Sequence, residues 1–201
     1  MTEEGTKYSE QGQPAGGNVP ESGGLLEPHP LAVRLIAELG ARGVQILEIG
    51  TGSGRNRRAL VAAGLAVTSI DAGHPVPAAA FDAALSTHAL LHGTPATLQA
   101  ALEGIHLALR PQARLYATLG SKRDARYGKG RHIAAHVFAA EDGDEAGVAH
   151  TYWDEPEVRI LLAGFKFIEL SQIQVDDIAG SWAHEKSPLS QAYHWMVVAQ
   201  R

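Results

Sequence analysis

Apolar positions along this chain recur with two alternating periods, one helical and one of short continuous runs, and their succession predicts helices and strands in turn. After Pro30, a favourable first-turn residue, Leu31, Leu35, Ile36 and Leu39 repeat at helical spacing until Gly40 and Gly43 stop the helix. Residues 44–49 form an apolar run that carries an acid near its end and then breaks into alternating glycines. That is the pattern of a buried parallel strand turning sharply into a helix. The helix follows over 55–63 and is closed by Gly64, and residues 65–71 and 81–86 read as the second and third strands. Thr94 and Pro95 supply an N-cap and a first-turn proline for a helix whose Leu98, Leu102, Ile105 and Leu109 face inward and which Pro111 ends. His106 lies within that helix beside buried positions and reads as structural. A fourth strand is predicted over 113–119. Asp154 and Glu157 form a capping box ahead of the buried stripe Val158, Leu161 and Leu162. Residues 167–175 and 193–199 read as two final strands, joined by a loop that holds Trp182, His184 and Pro188. Strands alternating with helices predict an α/β fold.

Three connections break the regular pattern. Residues 72–80 are nine in number with two prolines, too few for a helix and a strand. Residues 120–150 form a polar stretch longer than most connections in a compact domain, the kind that becomes a lid or a binding loop. Residues 1–26 hold six glycines and two prolines with no apolar period, so they read as a flexible leader, with Tyr8 its only aromatic.

Composition narrows the function. The chain has 201 residues and is 45% hydrophobic, which suits one globular domain with a substantial core. A formal net charge of −5 argues against an extended nucleic-acid surface. The absence of cysteine excludes disulfides and thiol catalysis. No apolar run approaches a membrane span and none marks a signal peptide, so a cytoplasmic protein is expected.

The candidate chemistry starts at Glu48-Ile49-Gly50-Thr51-Gly52-Ser53-Gly54. Its glycines remove Cβ atoms where the backbone turns tightly, and the free N–H groups of the next helix point at the same spot. The spacing is not the dinucleotide G-x-G-x-x-G, because Arg55 occupies the position of the third glycine, and no Lys-Ser or Lys-Thr follows for a P-loop. The stretch resembles the first motif of the class I S-adenosylmethionine-dependent methyltransferases. Residues 65–71, ending in Asp71, residues 81–88 and Leu109-Arg110-Pro111 are similar to later motifs of that family in the same order.

The resemblance implies a Rossmann-like, doubly wound, mostly parallel sheet over residues 27–201, with the last strand antiparallel. The short connection at 72–80 reduces the family's seven strands to six, in the order 2-1-3-4-6-5. It also implies S-adenosylmethionine as cofactor. Glu48, Gly50, Thr51, Gly52, Ser53, Gly54 and Asn56 would meet its methionine end, Asp71 its ribose, and Ser86, Thr87 and His88 the wall beside the sulfonium. Ala72 and Gly73 would lie near the adenine. The shortened segment removes part of the adenine wall, so weaker cofactor binding is expected unless the leader or the second subunit of a homodimer covers the gap.

The acceptor is expected at residues 121–132, where five cationic side chains fall within eleven residues. The run either binds an anion or is a solvated face. With His150-Thr151-Tyr152-Trp153 it resembles the tellurite-resistance-type branch of the family, whose members often carry Arg-Tyr-Gly-Lys-Gly here. This implies a small acceptor, anionic or oxyanionic, held by Arg126, Tyr127, Lys129, Arg131 and His150. His88 and His92 are candidate bases, with packing roles as the alternative. His132 and His136 have i, i+4 spacing for a metal if helical, but no third ligand is evident and none is expected. Two functions remain open: a methyltransferase of a small molecule, and a catalytically inactive relative that keeps the scaffold as a binding or regulatory module.

Overall fold

The computed structural model describes residues 26–40, 42–183 and 190–201. The expected leader lies outside them except for its last residue, as do Tyr8, His184 and Pro188. Strand β1 (Gln45–Ile49) is flanked by parallel neighbours β2 (Ala66–Ile70) and β3 (Phe81–Ser86), and β3 pairs in parallel with β4 (Leu109–Ser121). The sheet continues through β9 (Tyr193–Gln200), which runs antiparallel to both β4 and β8 (Lys166–Gln174). These six strands stand in the order expected from the sequence, with β2 at one end and the last strand antiparallel.

Alternation along each strand sorts side chains to two faces. On one face Ile46, Ala83, Leu85 and Tyr116 pack with Leu31 and Leu35 of α1 (Pro30–Leu39) and Leu60 of α2 (Arg55–Ala62). On the other face Leu47, Ala84 and Leu115 pack with Leu98, Leu102 and Ile105 of α3 (Pro95–Ala108) and Val158 and Leu161 of α4 (Glu155–Leu161). The result is three layers, helix on sheet on helix. Burial of one such leucine contributes roughly 1.5–3 kcal/mol. His106 packs edge-on against Phe165 at 5.0 Å, in keeping with its structural reading.

Both predicted caps form. Thr94 accepts from the backbone N–H of Thr97, and Asp154 accepts from that of Glu157, whose carboxylate reaches back to Asp154 N. Residues 71–80 contain no helix and no strand, so among the described residues β2 pairs on one side only.

The long polar stretch folds further than the sequence suggested. It forms β5 (Arg131–Ala134), β6 (Val137–Ala139) and β7 (Ala149–Trp153), an antiparallel unit joined to the end of β4 by parallel pairs at Gly120–Tyr152 and Ser121–Trp153. Gly120 is required there, because a Cβ would stand 2.3 Å from the Thr151 carbonyl oxygen. The unit also overturns the helical pairing of His132 and His136. His132 lies in β5 opposite Phe138, and His136 sits in the hairpin turn at φ 62.

Candidate functional site

The C-terminal ends of β1, β2 and β3 open onto a cleft of about 640 Å³. Its floor is the glycine turn, in which Gly50, Gly52 and Gly54 all have positive φ. A Cβ at Gly50 would meet that of Ala89 at 2.6 Å, whereas Gly52 has open space above it. Glu48 is 3% exposed, and the hydroxyl of Ser69, its register partner on β2, donates to it at 2.5 Å. Burial raises its pKa, and the Ser69 hydroxyl and Arg57 oppose that rise. Asp71 follows β2 on the far side of the cleft and is exposed.

Ties from neighbouring segments hold this edge. The Asn56 carboxamide accepts from His29 N at 2.8 Å and donates to Thr87 Oγ1 at 2.8 Å, linking α1, α2 and the end of β3. Buried Arg55 donates to the carbonyls of Glu27 and Trp182. Of the expected cofactor residues, Glu48, Gly50, Thr51, Gly52, Ser53, Gly54, Asn56, Asp71, Ala72, Thr87 and His88 line the cleft. Gly73 instead lines a smaller apolar cavity of about 210 Å³ against α3. Ser86 is fully buried behind the cleft, and its hydroxyl has no partner among the described residues.

His88 has φ 74, and its backbone N–H donates to Thr118 Oγ1. Its ring stands 5.2 Å from that of His194 and 6.0 Å from that of His29, with Trp182 at 6.2 Å. Burial, then the neighbouring His194, holds the His88 pKa well below the ordinary histidine value. The neutral ring is therefore a weaker base than an exposed imidazole.

A second cavity of about 530 Å³ lies beside the cleft, walled by the β5–β7 unit and Trp182. Arg126, Lys129 and His150 of the expected acceptor residues line it, whereas Tyr127 and Arg131 do not. Tyr127 Oη instead meets His136 Nδ1 at 2.9 Å. Arg126 makes two 2.8 Å contacts to the buried Asp124 carboxylate and lies over the Trp182 ring. Lys122 bonds Asp154 and Glu157, and Arg123 covers Tyr193. The cation run is thus divided among several partners. The cavity wall also carries Glu141, Asp142, Asp144 and Glu145, with Phe138 and Tyr152 supplying aromatic surface.

Glu145 lines both the cleft and the cavity. His92 Nε2 stands 3.3 Å from its Oε1, and His150 Nε2 stands 3.2 Å from its Oε2. Hydrogen bonding from the two histidines holds the Glu145 carboxyl far below the usual range. Sequence reasoning gave Glu145 no role. Its only signal was a place among four carboxylates in residues 141–145 of a segment read as a loop.

No protein-family model matches the sequence, and no curated protein matches it. Solved structures do match in fold. One is a Burkholderia thailandensis 1,6-didemethyltoxoflavin-N1-methyltransferase with bound 1,6-didemethyltoxoflavin and S-adenosylhomocysteine, at TM-score 0.61 and 22% identity, over 86% of this chain and 76% of that one. A Methanosarcina mazei S-adenosylmethionine-dependent methyltransferase aligns at TM-score 0.66 and 17% identity, over 88% of this chain and 99% of that one. A Thermotoga maritima methyltransferase described as a possible histamine N-methyltransferase aligns at 0.52 and 16%, over 84% and 87%. The chain has the fold of the class I S-adenosylmethionine-dependent methyltransferases.

Proposed function

We propose that this protein is an S-adenosylmethionine-dependent methyltransferase acting on a small acceptor. The observation that carries the reading is one cleft with Glu48 and Asp71 at the ends of adjacent strands, a glycine turn between them, and a shared wall with the aromatic cavity. The donor set fits the cofactor. Glu48 and the exposed backbone of residues 50–54 suit an ammonium and a carboxylate, and Asp71 suits a ribose diol. When bound, the cofactor supplies a sulfonium methyl group for in-line displacement. The chain's part is alignment and exclusion of water, with the acceptor aimed from the cavity across Glu145.

The finer assignments rest on the same geometry. The resemblance to the tellurite-resistance-type branch favours an oxyanionic acceptor, but the cavity tells against one. Arg126 already faces Asp124, and the rings of Phe138, Tyr152 and Trp182 share the wall. This aromatic lining, with Arg126 already engaged, supports a neutral or cationic acceptor over a free anion.

Calorimetric titration with S-adenosylmethionine and S-adenosylhomocysteine tests the function. Micromolar binding that weakens at least tenfold in Asp71→Ala, about 1.4 kcal/mol, is expected. No heat with either ligand would favour the inactive binding module. Deleting residues 1–26 tests whether the leader covers the short 72–80 segment. A clear loss of cofactor affinity in the deletion would assign that role to the leader.

A further inference from the structure

His92, Glu145 and His150 come from three separate places in the chain, and the fold brings them to one point. His92 follows the short turn after β3, Glu145 lies in the loop between β6 and β7, and His150 is in β7. The backbone enforces the meeting. Residues 92 and 150 form an isolated antiparallel bridge, Gly93 N donates to the Ala149 carbonyl at 2.8 Å, and Thr151 Oγ1 donates to the Gly93 carbonyl at 2.6 Å. The two imidazole rings stand edge to face at 4.6 Å.

Their ring nitrogens and the carboxylate converge as the ligands of a cation would. His150 Nδ1 lies 3.0 Å from the Val148 carbonyl oxygen, which can only accept, so Nδ1 carries the proton. Nε2 then faces Glu145 Oε2 at 3.2 Å, where a cation shared with the carboxylate would meet its lone pair. His92 Nε2 is buried and faces the other oxygen of the same carboxylate at 3.3 Å. An imidazole fixed through its other nitrogen by a carbonyl is the usual outer support of a metal-ligating histidine.

The spacing fits as well. Ligand atoms about 2.0–2.2 Å from an ion, at tetrahedral or octahedral angles, stand about 3.0–3.5 Å apart. The two nitrogen–oxygen distances are 3.3 and 3.2 Å, and the three ligand atoms all lie within 4.8 Å of one another.

We propose that His92 Nε2, His150 Nε2 and the Glu145 carboxylate bind a divalent first-row transition ion at the partition between the cleft and the cavity. Two imidazoles and one carboxylate suit zinc, cobalt or iron(II) better than magnesium or calcium, which favour all-oxygen sites. Three protein ligands leave positions open. On the methyltransferase reading, on which this part rests, an open position takes an acceptor hydroxyl. Coordination lowers the hydroxyl pKa, its proton leaves to solvent, and the oxygen lone pair faces the methyl donor. His92 is then a ligand and not a base.

The test titrates the chelator-treated full-length protein with Co2+, read by visible d–d absorption, and then displaces it with Zn2+. One Co2+ per chain is expected, with Zn2+ competing. His92→Ala and Glu145→Gln should each weaken binding by more than about 100-fold, beyond the 10–100-fold cost of an outer-shell change. The exposed His132→Gln should bind as the parent does. Absence of stoichiometric Co2+, or equal affinity in His92→Ala and Glu145→Gln variants that retain their circular dichroism, overturns the site. S-adenosylhomocysteine calorimetry on the same samples separates the two readings. Cofactor binding without Co2+ binding removes only the ion, and Co2+ binding without cofactor binding removes only the methyltransferase.

Discussion

Acidification offers a sharp test of the packing around the cleft. His29 and His194 are fully buried, and His88 has both ring nitrogens buried. Burial is the leading cause in all three cases; it lowers His29 to about 3 and holds His88 and His194 well below the ordinary value. Arg55 beside His29 and Arg126 beside His194 add to the effect. Each ring stays neutral in the folded protein while the unfolded chain takes up a proton near pH 6.5. The stability these groups contribute is therefore complete above the unfolded value and is lost as the pH falls below it. Between pH 7.5 and pH 5, one such histidine loses about 2 kcal/mol, and three lose about 6 kcal/mol. Carboxylates contribute only a few tenths of a kcal/mol each over that window. Against a typical total of about 5–15 kcal/mol, the loss is large. Urea denaturation followed by tryptophan fluorescence at several pH values measures it. His29→Asn keeps the cap acceptor for Leu31 N and removes one titrating group, so the pH-dependent loss should shrink by about a third. A stability at pH 5 within about 1 kcal/mol of that at pH 7.5, or a loss unchanged in His29→Asn, would refute the argument.

The other predictions separate packing from binding. Leu35→Ala, in the face that α1 buries, should cost about 2–5 kcal/mol in chemical denaturation. Arg126→Ala leaves Asp124 buried and unpaired, so it should destabilise by about 3–5 kcal/mol, whereas Lys129→Ala should leave stability unchanged and report only on acceptor KM. Gly50→Ala combines a φ of 86° with a 2.6 Å approach to Ala89 Cβ, and calorimetry should show a loss of cofactor affinity of tenfold or more, about 1.4 kcal/mol.

The central sheet was legible because each parallel strand is a short apolar run ended by a turn signal, and such runs permit few pairings. The Thr94 N-cap, the Asp154 capping box and the glycine turn were legible because they are local. The β5–β7 unit was not, for its strands have only four, three and five residues and β5 is exposed throughout. Their pairing depends on the far end of β4, which no local pattern announces. The partners of the cation run were hidden for a similar reason. The partners of Lys122 and Arg123 lie 32 or more residues away, while the sequence displays only the cations themselves. Glu145 gained meaning only when two distant histidines converged on it.

The way the β5–β7 unit is attached has a consequence for how acceptor choice can diverge. It joins the sheet through two residue pairs at the end of β4 and is tied to residues 92 and 93 after β3, while Glu48, Asp71 and the glycine turn belong to strands on the other side of β3. Insertions, deletions or wholesale exchange between residues 128 and 144 would remodel the second cavity while leaving the glycine-turn cleft and both apolar layers intact. On the proposed function, selection can thus alter substrate preference in a paralogue without re-solving the folding problem. The constraint on that freedom is narrow: Gly120 must remain, since any larger residue would push the docking strand away.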